Sequence, residues 1–126
     1  MTMLGGAAPA IADNLVCPAV ASITEKGQAD NETQFSSSAG GVTWEGSVSD
    51  YDEPVDLQDL RFAGAAIDNN AKRVMCDYHS GKKGALRMAT SVTASLAPAA
   101  PAAWTHEPGK PEACASDNDV MKCAIK

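Results

Sequence analysis

The sequence predicts a mainly β domain, with α+β as the alternative class: an antiparallel meander sheet with short helical turns, stapled by disulfides. Three observations carry this expectation. Residues 60–92, LRFAGAAIDNNAKRVMCDYHSGKKGALRMATSV, are cut into three short segments by Asp68-Asn69-Asn70 and by Ser80-Gly81-Lys82-Lys83-Gly84. Residues 33–49 alternate apolar and polar side chains around Gly40-Gly41. Four cysteines, Cys17, Cys76, Cys114 and Cys123, make an even set of the kind that staples a small exported domain.

Taken in order, residues 1–12 (MTMLGGAAPAIA) read as a residual signal-like segment outside the fold, with Ala10-Ile11-Ala12 matching a small-x-small cleavage pattern before Asp13. Residues 13–126 are expected to form a single β-rich domain. Pro18 disfavours helix at Cys17, and Val20 to Thr24 fits either a first strand or one helical turn. Gly27 to Thr33 reads as a polar loop, and within it Asn31-Glu32-Thr33 fits the N-glycosylation sequon.

The 33–49 hairpin has a register that can be counted from its turn: Val42 opposite Ala39, Trp44 opposite Ser37, Gly46 opposite Phe35. Trp44 is then a core anchor, and Gly46 leaves room for the Phe35 ring. The run SDYDEPVDLQDL that follows carries carboxylates at 50, 52, 53, 56 and 59. A calcium loop would need oxygen ligands at EF-hand spacing, which Pro54 and the lack of a terminal Glu deny. A solvated connection with one helical turn after Pro54 is expected.

For the 60–92 meander, a three-residue loop at Asp68-Asn69-Asn70 sets Phe62 against Cys76 and Gly64 against Val74. One face then carries Leu60, Phe62, Ala66, Val74, Cys76 and Tyr78. Arg61, Lys72, Arg73, Asp77 and His79 fall at ends or on the wet face. Leu86, Met88, Thr90 and Val92 alternate with Arg87, Ala89 and Ser91, completing the buried side. Residues 93–112 are rich in alanine and proline and are expected to cross the surface in extended form. Trp104, in their middle, either packs over a sheet edge or is an exposed contact. Ser116 and Asp119 have capping-box-like spacing, with a short final strand after Cys123.

Composition bounds the function. The 126 residues make one domain, and much of the hydrophobic fraction of 44% is alanine, with only six aromatic residues. Apolar burial per residue is thin, so covalent staples have work to do. Four cysteines allow three connectivities. Of these, Cys17 with Cys76 ties the N-terminal segment to the central strand, and Cys114 with Cys123 closes a short C-terminal loop; this is the pairing expected here. Zinc is disfavoured, since no CxxC pair occurs and His79 and His106 stand apart from the cysteines. A net charge of -6 disfavours nucleic acid, and no apolar run reaches the roughly 20 residues of a membrane span.

Cys17-Pro18, Trp44-x-Gly46, Cys76-x-Tyr78 and Cys123-x-Ile125 together resemble the markers of a family of small exported proteobacterial (Burkholderia-like) proteins classed as a domain of unknown function. The resemblance implies bacterial export and a disulfide-linked β domain, in proteins that a host can see as antigens. It transfers no catalytic residues.

For catalysis, the best local cluster is Asp77-Tyr78-His79-Ser80, but neighbours on a strand point to opposite faces. No nucleophile elbow, HExxH, phosphate-binding glycine loop or dinucleotide fingerprint occurs. The expected function is therefore a non-enzymatic, secreted or periplasmic, monomeric binding protein without cofactor or metal, taking a protein, peptide or glycan partner. The alternatives are an inhibitor or immunity-type protein using an acidic face and, behind it, a small hydrolase. Candidate binding residues are Asp50, Tyr51, Asp52, Glu53, Asp56, Asp59 and Trp104. An acidic face would bind with salt sensitivity, whereas a Tyr51–Trp104 surface would stack a sugar or peptide.

Overall fold

The computed structural model describes residues 15–38, 41–81 and 83–126. The signal-like reading of residues 1–12 and the Ala39-Gly40 part of the hairpin turn lie outside these residues. The domain is mainly β. Its strands are β1 (Thr24–Ala29), β2 (Glu32–Ser37), β3 (Trp44–Ser49), β4 (Leu60–Asp68), β5 (Arg73–Ser80), β6 (Lys83–Ser91), β7 (Trp104–Thr105) and β8 (Glu112–Ala115). They form one antiparallel sheet in the order β1-β2-β3-β6-β5-β4-β8-β7.

The β2–β3 hairpin has the register its sequence predicts, with Ser37 opposite Trp44 and Phe35 opposite Gly46. Trp44 is buried, as a core anchor should be. The glycine at 46 answers to β6. A Cβ there would collide with the Arg87 carbonyl oxygen and lie 2.9 Å from Met88 Sδ, so the close approach of β6, rather than the Phe35 ring, sets the requirement. This crossing joins the two halves of the sheet, with Glu45 paired to Ala89 and Thr90 Oγ1 donating to the Thr43 carbonyl at 2.8 Å.

Two expectations are corrected. Residues 27–33 are not a loop: β1 runs on to Ala29, and Asp30 and Asn31, at φ 53° and 63°, make a two-residue turn into β2. Positive φ at both turn residues matches the right-handed twist of the flanking strands. The β4–β5 hairpin also has a different register. Its loop has four residues between Asp68 and Arg73, so Phe62 faces Tyr78 rather than Cys76, and Gly64 faces Asp77 rather than Val74. A bulge at Ala63 shifts the alternation, turning Ala65 and Ile67 inward in place of Ala66. The Phe62 backbone freed by that bulge is met by Asn118. The Asn118 Oδ1 accepts from the Phe62 N–H at 3.1 Å, and the Asn118 N–H donates to the Phe62 carbonyl at 2.9 Å.

The inner face of the sheet carries Phe35, Trp44, Val48, Leu60, Phe62, Ile67, Val74, Cys76, Tyr78, Leu86 and Met88, all buried. It is covered by the two ends of the described chain. The disulfide between Cys17 and Cys76 and a 2.6 Å hydrogen bond from the Tyr78 hydroxyl to the Pro18 carbonyl fix the N-terminal segment. Ile125 bridges Leu15 and Pro98, and the disulfide between Cys114 and Cys123 holds the C-terminal segment to β8. Both links join the cysteines paired in the sequence reading. Residues 93–112 cross the surface only in part, because Trp104 and Thr105 add β7 as the last strand of the sheet.

Candidate functional site

The acidic connection leaves β3 at Ser49 and enters β4 at Leu60, crossing the end of the sheet where β5 finishes and β6 begins. It is pinned along its length. The Asp50 N–H donates to the Asn31 carbonyl at 2.8 Å and the Asp52 N–H to the Ser49 carbonyl at 3.0 Å. Ser80 Oγ accepts from the Asp56 N–H at 2.9 Å and donates to the Asp56 carbonyl at 3.2 Å. A buried hydroxyl satisfied in this way fixes backbone it does not belong to. The Pro54 carbonyl packs on Gly84, whose φ of 61° and lack of a Cβ admit it. Asp56 Oδ1 accepts from the Gln58 N–H, starting the short 3-10 turn Leu57–Asp59 after Pro54.

Held there, the connection forms one wall of a cleft of about 290 Å³. Asp50, Asp52, Pro54 and Val55 stand on that wall; Phe35 and Val48 form the floor; Glu25, Gln28 and Thr33 close the other side. The opposite wall follows from register: Gln28 faces Thr33 and Thr33 faces Val48, while Glu25 faces Phe35, so all share the inner face. Three carboxylates thus surround a partly apolar floor, and among the described residues none that lines it is basic.

Of the residues singled out from sequence, Asp50 and Asp52 line the cleft. Glu53 is exposed outside it, Asp56 serves the 3-10 turn, and Asp59 Oδ2 lies against Gly81. Tyr51 is exposed beside the cleft rather than in it. Trp104 is half-buried in β7, and β6, β5, β4 and β8 lie between it and the end of β3. The structure therefore does not bring Tyr51 and Trp104 together. Glu25 is the member that sequence reasoning missed; the Asp30-Asn31 turn signal would have extended β1 and placed it on the inner face.

The Asp77-Tyr78-His79-Ser80 cluster divides across the sheet. Tyr78 and Ser80 are buried, while Asp77 and His79 face outward. Burial, helped by the Asp77 charge, pushes the Tyr78 hydroxyl well above the ordinary phenol range. Asp77 accepts two hydrogen bonds from Arg87, at 2.7 and 3.1 Å; these hydrogen bonds raise the guanidinium pKa against the opposing effect of its partial burial. Each member of the cluster except His79 is thus committed to a structural partner. All four cysteines are in disulfides, and no group of three His, Cys, Asp or Glu side chains among the described residues is placed to hold a metal. No helix among the described residues is long and apolar enough to cross a membrane.

Neither a protein-family model, nor a curated protein, nor a solved structure matches this chain.

Proposed function

We propose that this protein is a non-enzymatic binding module of an oxidising compartment, periplasmic or extracellular, and that it receives a basic side chain of a protein partner in the cleft beside Asp50 and Asp52. The observation that carries the reading is the pairing of Glu25, Asp50 and Asp52 with the apolar floor of Phe35 and Val48 and the apolar wall residue Val55. Arginine and lysine have this shape in complement: an aliphatic stem that packs on apolar surface and a cationic head that seeks carboxylates. The net charge of -6 would steer a basic partner toward the cleft. An inhibitor or immunity-type role, in which an acidic face occupies a basic enzyme surface, has this chemistry.

Recruitment of a partner strand at a sheet edge is less well supported. The β1 edge is broken by a bulge between Glu25 and Gly27 that carries Lys26, a device that discourages strand addition, and β7 has only two residues.

Calorimetric titration of the intact chain with a hexa-arginine peptide tests the reading. Binding should weaken steeply between about 0.02 and 0.3 M salt, and D50K/D52K should abolish it. E107K/D117K, the same charge change at two exposed sites away from the cleft, should leave most of it. Equal loss in both variants, or binding indifferent to salt, would overturn the cleft as the site.

A further inference from the structure

The outer face of the sheet is open. Arg73, His79, Arg87, Ser91, Ala113 and Ala115 are exposed on it, while both ends of the described chain lie over the inner face. Register lays its centre out in three rows across β4, β5 and β6. Gly64, Asp77 and Arg87 form the first row, Ala66, Met75 and Ala89 the second, and Asp68, Arg73 and Ser91 the third. β8 extends the first two with Ala115 and Ala113. Read along β5, the order is carboxylate, thioether, guanidinium.

That order is self-complementary. A two-fold axis along the Met75 row, in the plane between two facing copies, sets each strand over its own counterpart and exchanges the first row with the third. Asp77 then meets the partner's Arg73, and Arg73 meets the partner's Asp77. Arg87 meets Ser91, Asp68 meets Gly64, which has no side chain to obstruct it, and Ala66, Met75 and Ala89 meet their own counterparts. An axis along β5 would instead set Asp77 on Asp77 and Arg73 on Arg73, like charges that oppose docking. Facing sheets align to within about 30°. Residues two apart on a strand are separated by roughly 6.8 Å, so that angle displaces the facing rows by only about 3–4 Å. An arginine side chain covers that distance.

The two charged groups suit this role. Among the described residues Arg73 has no ion-pair partner; Asp68, opposite it on β4, turns its Oδ1 to the Asn70 and Ala71 N–H groups. Asp77 is oriented by Arg87 at 2.7 and 3.1 Å, and its two oxygens keep lone pairs for a second cation. At the rim, Glu45 extends the Met75 row beside Ala89 and is neutralised by Lys26 at 3.4 Å.

We propose that two copies of this chain dock outer face to outer face, exchanging Asp77–Arg73 salt bridges about a two-fold axis along the Met75 row. Four strands spaced about 4.8 Å apart make a small interface, so the dimer belongs to the weak class that buries less than about 1,200 Å² in total. This makes the chain a weak dimer in place of the expected monomer. The acidic clefts stay on the sides turned away from the interface, and failure of the dimer would leave that reading untouched.

Sedimentation equilibrium of the intact chain at about 0.05 M salt, from about 0.01 to 1 mM protein, should show the mass rising from one chain toward two. R73E and D77R should each weaken association at least tenfold, because each sets two like-charged pairs across the interface. An equimolar mixture of the two variants should restore it, since the new carboxylate of one faces the new guanidinium of the other while the native Asp77 faces the native Arg73. K126E, the same charge change as R73E on the segment that covers the inner face, should leave association as it was. Should D77R fold poorly, R73E against K126E still decides. A monomer at every concentration, equal effects of R73E and K126E, or a mixture of folded variants that associates no better than its parts would overturn the proposal.

Discussion

Removing each disulfide in turn should cost unequal amounts. Cys17 and Cys76 are 59 residues apart in sequence, whereas Cys114 and Cys123 are 9 apart. In the chain-entropy treatment, the stabilisation from a cross-link grows with the logarithm of the loop it closes; it is about 4.2 kcal/mol for the long loop and about 2.6 kcal/mol for the short one. Burial does not confuse the comparison, because Cys17, Cys76, Cys114 and Cys123 are 3, 0, 4 and 0% exposed, so alanine replacement leaves similar apolar surroundings in each pair. The variants to compare are C17A/C76A and C114A/C123A, by thermal unfolding under the same buffer. The long-loop variant should melt lower by roughly 6 °C, given the entropy of unfolding of a domain this size. Its deficit grows further if loss of the link also loosens the N-terminal segment over Tyr78. Equal losses, or a larger loss in C114A/C123A, would refute the reasoning that the long link is the principal staple of the inner face.

Three further outcomes are expected. Tyr78→Phe leaves the buried Pro18 carbonyl without its donor and should cost about 1–3 kcal/mol in denaturant unfolding. Because the folded-state pKa of Tyr78 is raised, its stabilising effect is full below the ordinary phenol value of 10.0 and is lost as pH rises beyond it. The stability gap between the native chain and Y78F should therefore narrow in that alkaline range, and a constant gap would contradict it. Gly46→Ala places a methyl against the Arg87 carbonyl where β3 crosses β6, and overpacking of that kind should cost about 1–3 kcal/mol in the same assay. Ser80→Ala removes both hydrogen bonds to Asp56, so amide exchange should accelerate selectively across residues 55–59 while the central strands stay protected.

The fold was legible wherever local pattern and turn chemistry agreed. In the β2–β3 hairpin, the Gly-Gly signal and the alternation of Val42, Trp44, Gly46 and Val48 fix one register, and the strands adopt it. In the β4–β5 hairpin, two features without a local signature defeat the count. The bulge at Ala63 is stabilised by Asn118, 56 residues from Phe62, and Lys72 at φ 55° extends the loop although lysine seldom marks such a position. β1 was hidden by its polarity. Thr24–Ala29 is exposed apart from half-buried Gly27, so no hydrophobic alternation announces it, and only the Asp30-Asn31 turn could have done so.

The same logic governs the candidate site. The acidic run is plain in the sequence, but which of its carboxylates share a cleft depends on Ser80, Gly84 and Asn31, each brought to it by long-range pairing. Glu25 joins Asp50 and Asp52 only through the β1–β2–β3 registers. Trp104 shows the reverse: within its Ala/Pro stretch both packing over a sheet edge and an exposed contact stay open, and only two residues of pairing with β8, which no local signal marks, make it part of the sheet edge.

The measurement that bears most directly on the proposal that this disulfide-stapled domain works in an oxidising compartment is non-reducing peptide mapping of the protein recovered from its native cells. Linked peptides joining Cys17 to Cys76 and Cys114 to Cys123 are the predicted result. Four free thiols in that material would contradict both the staples and the compartment, and would return the cysteines to consideration as reactive or metal-binding groups.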